Sequence, residues 1–459
     1  MKRTRARPTS PQTVAVLTID RMATGGDGVG RLDGMAVFVP RTAPGDVVQV
    51  AITRHARFGR GRVLQLLTPS PHRVEPPCPH YGNDRCGGCQ LQHLDAASQQ
   101  AARRHLVQET LGRLGRREVT LPPLTSGEPW AYRRRLTVTL VRTGSRWIGG
   151  LHPHDDPVRI FPLDQCRLVE PAIDAAWQGT RALLRSRELQ LPDVPRLRLG
   201  LRGASTDGAQ VTLVIHGGRE WPAADMWGRV AGSSVPGVVA VWWHPEGADR
   251  AQAIWSSPDV PMTDDLPEEE APATPGETGA PSGNEAMAFA QVNAEVARAL
   301  RAEVVEAVRE VAPTHVVDAY AGSGVLAGEL TRAGIRVTAI ELDPAGVAAL
   351  RARLPATGAA AATVLAARVE EALPTIPTPV DVVVLNPPRR GVDPRVCAWL
   401  ESAAALGVRR VVYVSCDPAT LARDLTRVPG WRITRVACFD MFPQTAHVET
   451  VCILDREAS

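Results

Sequence analysis

The sequence predicts an α/β protein, in which a doubly wound parallel sheet is preceded by a small antiparallel barrel and a second β-rich region. Three observations predict it. After residue 285, apolar runs of β type at 316–320, 337–342, 363–367, 380–385 and 410–415 are separated by helical stretches, and such alternation builds a parallel sheet. Residues 13 to 67 instead carry short runs broken by Gly25-Gly26-Asp27-Gly28 and Pro44-Gly45-Asp46, the punctuation of a small closed sheet. Between them, residues 256–284 are acidic and rich in Pro, Thr and Gly, too poor in apolar surface to order themselves.

Taken in order, the barrel strands are expected at 14–19, 36–39, 47–52 and 62–67. Ala97, Ala101, Leu106, Leu111 and Leu114 recur near helical spacing with arginines between them, which predicts a helix over 95–114. Strands at 135–141, 196–201, 210–215 and 238–243 mark the second β-rich region, and a helix over 290–311 opens the α/β part. Runs 432–439 and 448–454 lie too close together for a crossover helix, so they form an antiparallel pair. The expected domains are therefore 9–70, 71–255 and 285–459, with a linker at 256–284 and helix 95–114 packing on the last domain.

A chain of 459 residues fits three such units at about 150 residues each. Its 44% hydrophobic and 22% charged residues are ordinary for a soluble protein, and the net charge of +3 is slight. Charge placement says more. Lys2, Arg3, Arg5 and Arg7, and then Arg54, Arg57, Arg60 and Arg62, form basic clusters suited to a phosphate backbone. No apolar stretch approaches the roughly 20 residues of a membrane span, and residues 1–12 lack a signal-peptide core, so a cytoplasmic protein is expected. Eight cysteines in so long a chain do not make a disulfide scaffold; clustered cysteines in a reducing compartment are metal ligands or catalysts.

Four motifs carry chemistry. Ser415-Cys416-Asp417-Pro418 ends an apolar run, which sets a thiol at the mouth of a buried strand, where open α/β sheets place their active sites. Cys416 is the expected nucleophile, whereas Cys397 and Cys438 read as core. Asp318-Ala319-Tyr320-Ala321-Gly322-Ser323-Gly324 is a strand, a glycine turn and a helix start, and Gly322 and Gly324 let a ligand approach the backbone. Glu341 ends the next strand, where a carboxylate can bind ribose hydroxyls. With neither a dinucleotide G-x-G-x-x-G nor a Walker lysine in the chain, the expected cofactor is S-adenosylmethionine. Asn386-Pro387-Pro388-Arg389 closes the fourth strand over the same crevice, with Arg389 able to bind phosphate or carboxylate. Finally, Cys78, Cys86 and Cys89 occupy one Gly/Pro-rich loop, and Cys166 is the remaining cysteine before the α/β part. Four thiolates suit a [4Fe-4S] cluster or structural zinc, and spacing alone does not choose.

Together these residues resemble the bacterial RNA uracil-C5 methyltransferases, the 5-methyluridine enzymes of ribosomal and transfer RNA, over nearly the whole chain. The resemblance implies a Rossmann-like methyltransferase domain, an OB-like TRAM barrel for RNA, and a central iron-sulfur domain. It implies that Cys78, Cys86, Cys89 and Cys166 hold a [4Fe-4S] cluster, and that Tyr132-Arg133-Arg134-Arg135 contacts RNA through Tyr132, Arg133 and Arg135. Gln291, in Phe289-Ala290-Gln291, and Tyr320, Gly322, Gly324, Glu341 and Asn386 would bind the donor, Arg389 the RNA, Cys416 would be the nucleophile, and Glu449 the general base.

The chemistry explains the residue types. Uracil C5 is a poor nucleophile, so a thiolate adds to C6 and makes C5 reactive toward the sulfonium methyl. A carboxylate must then remove the C5 proton. The uracil must also leave its stack, which favours a single-stranded loop as target. The expected substrate is 23S rRNA ahead of tRNA, and the expected state a monomer without membrane association. Three departures from the family pattern stand out. Asn386 replaces an aspartate, Ala366-Ala367-Arg368 ends the third strand where an acid is usual, and the loop from Cys78 to Cys86 is long. Asn-Pro-Pro is also the signature of enzymes that methylate exocyclic amines, and an RNA-binding factor without methyl transfer is a third reading.

Overall fold

The structure, a computed structural model, describes residues 12–186, 189–203, 210–248, 250–258, 293–354, 362–377, 379–402 and 407–456. Gln291, the first residues of the helix expected over 290–311 and most of the expected linker lie outside the described residues.

Strands β1 (Thr13–Thr18), β2 (Arg21–Met22), β3 (Asp27–Leu32), β4 (Met35–Pro40), β5 (Val47–Arg54) and β6 (Gly59–Thr68) form the first sheet, in the order β1-β5-β6-β4-β3-β2. Alternation in β5 turns Val48, Val50 and Ile52 onto Leu17, Val37 and Val39. The glycines read as a turn at 25–28 partly enter strand β3 instead. A Cβ at Gly30 would lie 2.7 Å from Thr18 O, so glycine permits a close approach there.

After α1 (Pro79–Gly82), α2 (Ala96–Arg113) and β7 (Thr125–Ser126), the chain builds a second sheet. Its elements are β8 (Arg135–Thr143), β9 (Arg146–Leu151), β10 (Phe161–Pro162), α3 (Pro171–Arg185), β11 (Arg196–Gly203), β12 (Val211–His216), α4 (Ala224–Ser234), β13 (Val238–His244) and β14 (Gln252–Ser256). The strand order is β10-β9-β8-β11-β12-β13-β14. Helices α3 and α4 were not anticipated. Their buried residues, Ile173, Ala176, Trp177, Thr180 and Leu184 in α3 and Trp227 and Ala231 in α4, cover the face formed by Leu136, Val138, Leu140, Leu197 and Leu199.

The third sheet is the expected Rossmann-like one. It comprises α5 (Ala294–Arg309), β15 (His315–Ala319), α6 (Val325–Arg332), β16 (Arg336–Glu341), α7 (Pro344–Arg353), β17 (Ala362–Ala366), α8 (Val369–Ala372), β18 (Val382–Leu385), α9 (Pro394–Ser402), β19 (Arg410–Ser415), α10 (Pro418–Leu425), β20 (Trp431–Asp440) and β21 (Glu449–Arg456). The order is β17-β16-β15-β18-β19-β21-β20-β7, with β15 to β19 parallel and β21 antiparallel between β19 and β20. Every residue of β18 and β19 is buried, as a strand covered on both faces requires. The strand order reverses between β15 and β18, which opens a crevice at their C-terminal ends. Helix α2 joins this unit: Val107 and Leu111 share a core with Leu421 and Ala422 of α10.

Candidate active site

Strand β19 delivers Cys416 to the crevice. Its buried run stops at Ser415, whose Oγ donates to Asp417 O (3.0 Å). The Asp417 carboxylate accepts from Ala419 N and Thr420 N (2.8 and 3.2 Å) and so caps α10 behind Pro418. Cys416, half-buried, thus sits between the end of a strand and the start of a helix. Ser415 pairs with Thr450, so Cys416 and Glu449 each adjoin that paired position, and the charge of Glu449 acts on the thiol.

Glu449 is 6% exposed. Burial pushes its carboxyl up to about 7, against the pull of the Arg389 guanidinium. The Cys416 thiol is also pushed up, by burial first and then by the charge of Glu449, again opposed by Arg389. His447 is pushed down by burial and by Arg389 and Arg133. Arg389 therefore acts on all three groups. Helix α10 holds its loop: Thr420 Oγ1 donates to Arg389 O (3.0 Å), Arg423 Nη2 to Arg390 O (2.7 Å), and Val392 N to Asp424 Oδ2 (3.1 Å).

The glycine turn lies at the end of β15. Tyr320, Gly322 and Gly324 have φ of +62°, +56° and +80°, and a Cβ on Gly324 would collide with Leu350. Gly322 N donates to Glu341 Oε2 (2.8 Å), while Glu341 Oε1 accepts from Leu342 N and Asp343 N (2.7 Å each). Glu341 is therefore anchored by backbone at the place where its sequence position put it. Asp318 is 2% exposed and its Oδ2 has no partner; burial, and secondarily the charge of Glu341, raise its carboxyl to about 7 although Ala327 N hydrogen-bonds to it. Asn386 is exposed at the end of β18, its N–H donating to Ala319 O (3.2 Å).

The sequence reading missed Glu370, two residues beyond the basic Arg368. Its carboxylate lies 3.9 Å from Arg368 and 3.2 Å from Arg395, and its charge, after burial, raises the Tyr320 phenol. An acid thus does stand beside the turn. Its signal was the Glu370-Glu371 pair at the start of α8, which reads as an ordinary helix N-terminus.

Cys78, Cys86, Cys89 and Cys166 line one cavity of about 270 Å³ together with Gln92 and Arg133. All are free thiols, and burial pushes Cys86 up to about 11 and Cys89 to about 12. Among the described residues, no group of three or more His, Cys, Asp or Glu is placed to hold a metal ion. Tyr132 is 7% exposed in the same cluster, and its hydroxyl donates to Pro443 O (3.0 Å). Arg133 lies over the Tyr132 ring, 5.9 Å from its centroid, and Arg135 is half-buried at the head of β8. The expected RNA-contacting segment is thus largely turned inward, with Tyr132 joining the cysteine cavity to the β20–β21 hairpin.

Comparison with known proteins bears on this geometry. The family described as tRNA (Uracil-5-)-methyltransferase matches residues 378–457, and the TRAM domain matches residues 10–64. A 23S rRNA (uracil(1939)-C(5))-methyltransferase of Alkalilimnicola ehrlichii is 33% identical, covering 100% of this chain and 99% of its own. Its namesake from Acidithiobacillus ferrooxidans is 30% identical, covering 97% and 98%. The crystal structure of Pyrococcus abyssi tRNA (uracil-54, C5)-methyltransferase with S-adenosyl-L-homocysteine superposes with a TM-score of 0.70 at 23% identity, covering 95% of this chain and 99% of that one.

Proposed function

The chain belongs to the RNA uracil-C5 methyltransferase family, and from that premise we propose that it methylates C5 of a uridine in 23S rRNA, in the cytoplasm, with Cys416 as nucleophile and Glu449 as base. One observation carries the assignment: Cys416 follows the last residue of β19, next to the start of β21 at Glu449, and the charges of Glu449 and Arg389 both act on its thiol. Arg389 favours the thiolate, whose Sγ bonds to C6 and moves an electron pair to C5. The bound donor supplies an electrophilic sulfonium methyl at C5. Glu449 then takes the C5 proton, the C5=C6 bond re-forms, and the S–C6 bond breaks to return the thiolate. A carboxyl near 7 is well matched to that proton transfer at neutral pH.

Gly322, Gly324, Tyr320, Glu341, Asn386 and Gln291 would hold S-adenosylmethionine. The unpartnered Asp318 Oδ2 under the turn fits a ligand that brings a donor group or positive charge. The thiols of Cys78, Cys86, Cys89 and Cys166 would hold a [4Fe-4S] cluster. Zinc needs four sulfurs about 3.8 Å apart, given Zn–S bonds of about 2.3 Å. Four thiols that line one cavity of about 270 Å³ leave room for a group larger than a single ion. Arg41 and Arg133, whose charges act on Cys86, Cys89 and Cys166, offset the negative charge such a group brings.

Arg133, Arg135 and Arg389, with the exposed barrel residues Arg54, Arg57, Arg60 and Arg62, would hold the RNA. Incubation of unmodified rRNA and tRNA with labelled donor tests the proposal, with nucleoside mass spectrometry as readout. Methyluridine from the native protein and none from Cys416→Ala is expected. Methylated adenine or cytosine would favour the exocyclic-amine reading of Asn386-Pro387-Pro388, and an absence of donor binding would favour an RNA-binding factor.

A further inference from the structure

The β20–β21 loop, residues 441–448, leads directly into Glu449 and is gripped from outside its own sheet. Arg103 of α2, 2% exposed, donates from Nη1 to Thr445 O (2.8 Å) and from Nη2 to the buried Asp440 carboxylate. One turn earlier, Gln99 Nε2 donates to Gln444 Oε1 (3.0 Å). Gln90 N and Leu91 N both donate to Gln444 O (3.1 and 3.0 Å). Gln444 has a φ of +69°, a conformation that a residue with a side chain keeps only where its surroundings impose it. The constraint passes on through Thr445, whose Oγ1 accepts from His447 N (3.3 Å), two residues before Glu449.

Helix α2 also packs Val107 and Leu111 against Leu421 and Ala422 of α10, the helix that starts just after Cys416. A single helix thus fixes the loop that leads into Glu449 relative to the helix that follows Cys416. A buried apolar pair could hold the two surfaces together as firmly as Arg103 and Asp440 do. What the guanidinium adds is direction, because it aims at one carbonyl and one carboxylate of the loop.

We propose that Arg103, assisted by Gln99, is a positioning residue for methyl transfer: it holds residues 441–448 so that the Glu449 carboxylate meets the C5 proton. The proposal rests on the assignment of Cys416 and Glu449 above. Attack of the thiolate on C6 does not depend on it. The affected step is the later one, in which Glu449 takes the C5 proton, C5=C6 re-forms and the S–C6 bond breaks.

The test uses the full-length protein and three variants: Gln99→Leu, Arg103→Lys, and the double variant Arg103→Met with Asp440→Leu, which leaves no unpaired buried charge. A misplacement of about 1 Å costs on the order of 10²-fold in rate. Turnover in the double variant is expected to fall by that order with the RNA KM unchanged, and a denaturant-resistant adduct carrying the labelled methyl should accumulate. Arg103→Lys should recover part of the turnover. On RNA containing 5-fluorouridine, which has no C5 proton to remove, all variants should form adduct at the wild-type rate. Gln99→Leu keeps the ion pair, and so remains informative if the Arg103 variants do not fold. Adduct formation on 5-fluorouridine RNA slowed as much as turnover, or wild-type turnover in folded Gln99→Leu, overturns the proposal alone. Methylation by the wild type without any adduct overturns the Cys416 assignment and this proposal with it.

Discussion

Replacing Glu449 by Gln should make the protein more stable and nearly inactive, and the two effects should follow different pH dependences. The side chain is 6% exposed, and burial raises its carboxyl from 4.5 to about 7. That rise corresponds to roughly 3 kcal/mol of preference for the neutral form in the folded state. The folded protein therefore binds this proton more tightly than the unfolded chain does. The stability it confers is complete below 4.5 and is lost as pH rises to about 7. Gln cannot ionise, so Glu449→Gln should match the wild type near pH 4 and exceed it by up to roughly 3 kcal/mol at pH 8.

Activity should move the other way. Loss of a general base costs about 10²- to 10⁴-fold, while wild-type kcat/KM should climb with pH to a plateau above about 7. Urea unfolding at both pH values and methylation of unmodified rRNA across the range supply the two measurements. A stability difference that is the same at pH 4 and pH 8 would mean that Glu449 titrates normally, and the reasoning from burial to base would fail. Turnover within a few-fold of wild type would remove Glu449 from the proton transfer altogether.

Other substitutions probe the surrounding structure. Gly324→Ala forces a side chain onto Leu350 at a φ of +80°, so calorimetry should show weakened donor binding with RNA binding retained. Cys89→Ser removes one thiol from the 270 Å³ cavity, and iron and sulfide content after anaerobic reconstitution should fall well below wild type. Asp46→Ala should cost about 3–5 kcal/mol in unfolding experiments, because it leaves a partly buried arginine unpaired. The Asp46 carboxylate accepts from Arg73 Nε and Nη2 (2.8 Å each), Ala43 N (2.6 Å) and Ser70 N (2.8 Å), which together outweigh burial and hold it below the usual range. In the wild type this contribution should be lost only as pH falls below about 4.

Much of the third sheet was legible because a strand buried on both faces must be mostly apolar, as Val382–Leu385 is throughout and Arg410–Ser415 is between its ends. Cys416, too, could be read from sequence, since a strand that runs into Asp-Pro leaves the intervening residue at the crevice. The central helices are less evident because the strand-like runs around them carry the stronger apolar signal, although Ile173, Ala176, Trp177, Thr180 and Leu184 keep a helical period. Arg103 was least legible of all. An arginine between apolar helical residues ordinarily points to solvent, and nothing local reveals that its carbonyl and carboxylate acceptors lie more than 330 residues away. The packing of Tyr132 and Arg133 was hidden for a similar reason. Their chemistry suits RNA, and nothing local reveals that Tyr132 also donates to Pro443 O or that Arg133 also lines the cysteine cavity.

The distribution of these groups separates two demands of the reaction. The proposed nucleophile would have to meet C6 from a fixed point, and Cys416 gains that rigidity from the sheet and the Asp417 cap. The proposed base must reach the C5 proton later and as accurately, and Glu449 starts β21, paired with Phe439, after an eight-residue loop whose side-chain grips come from α2. That loop takes its order from α2, from the Gln90-Leu91 segment beside Cys89, and from Tyr132. A change in the cysteine loop, which meets Gln444 O through Gln90 N and Leu91 N, is therefore expected to reach the proposed base before the proposed nucleophile. If Cys89→Ser loosens the loop, proton abstraction should fail while adduct formation on 5-fluorouridine RNA persists. Equal loss of both steps would instead mean that the cysteine loop supports the whole catalytic domain.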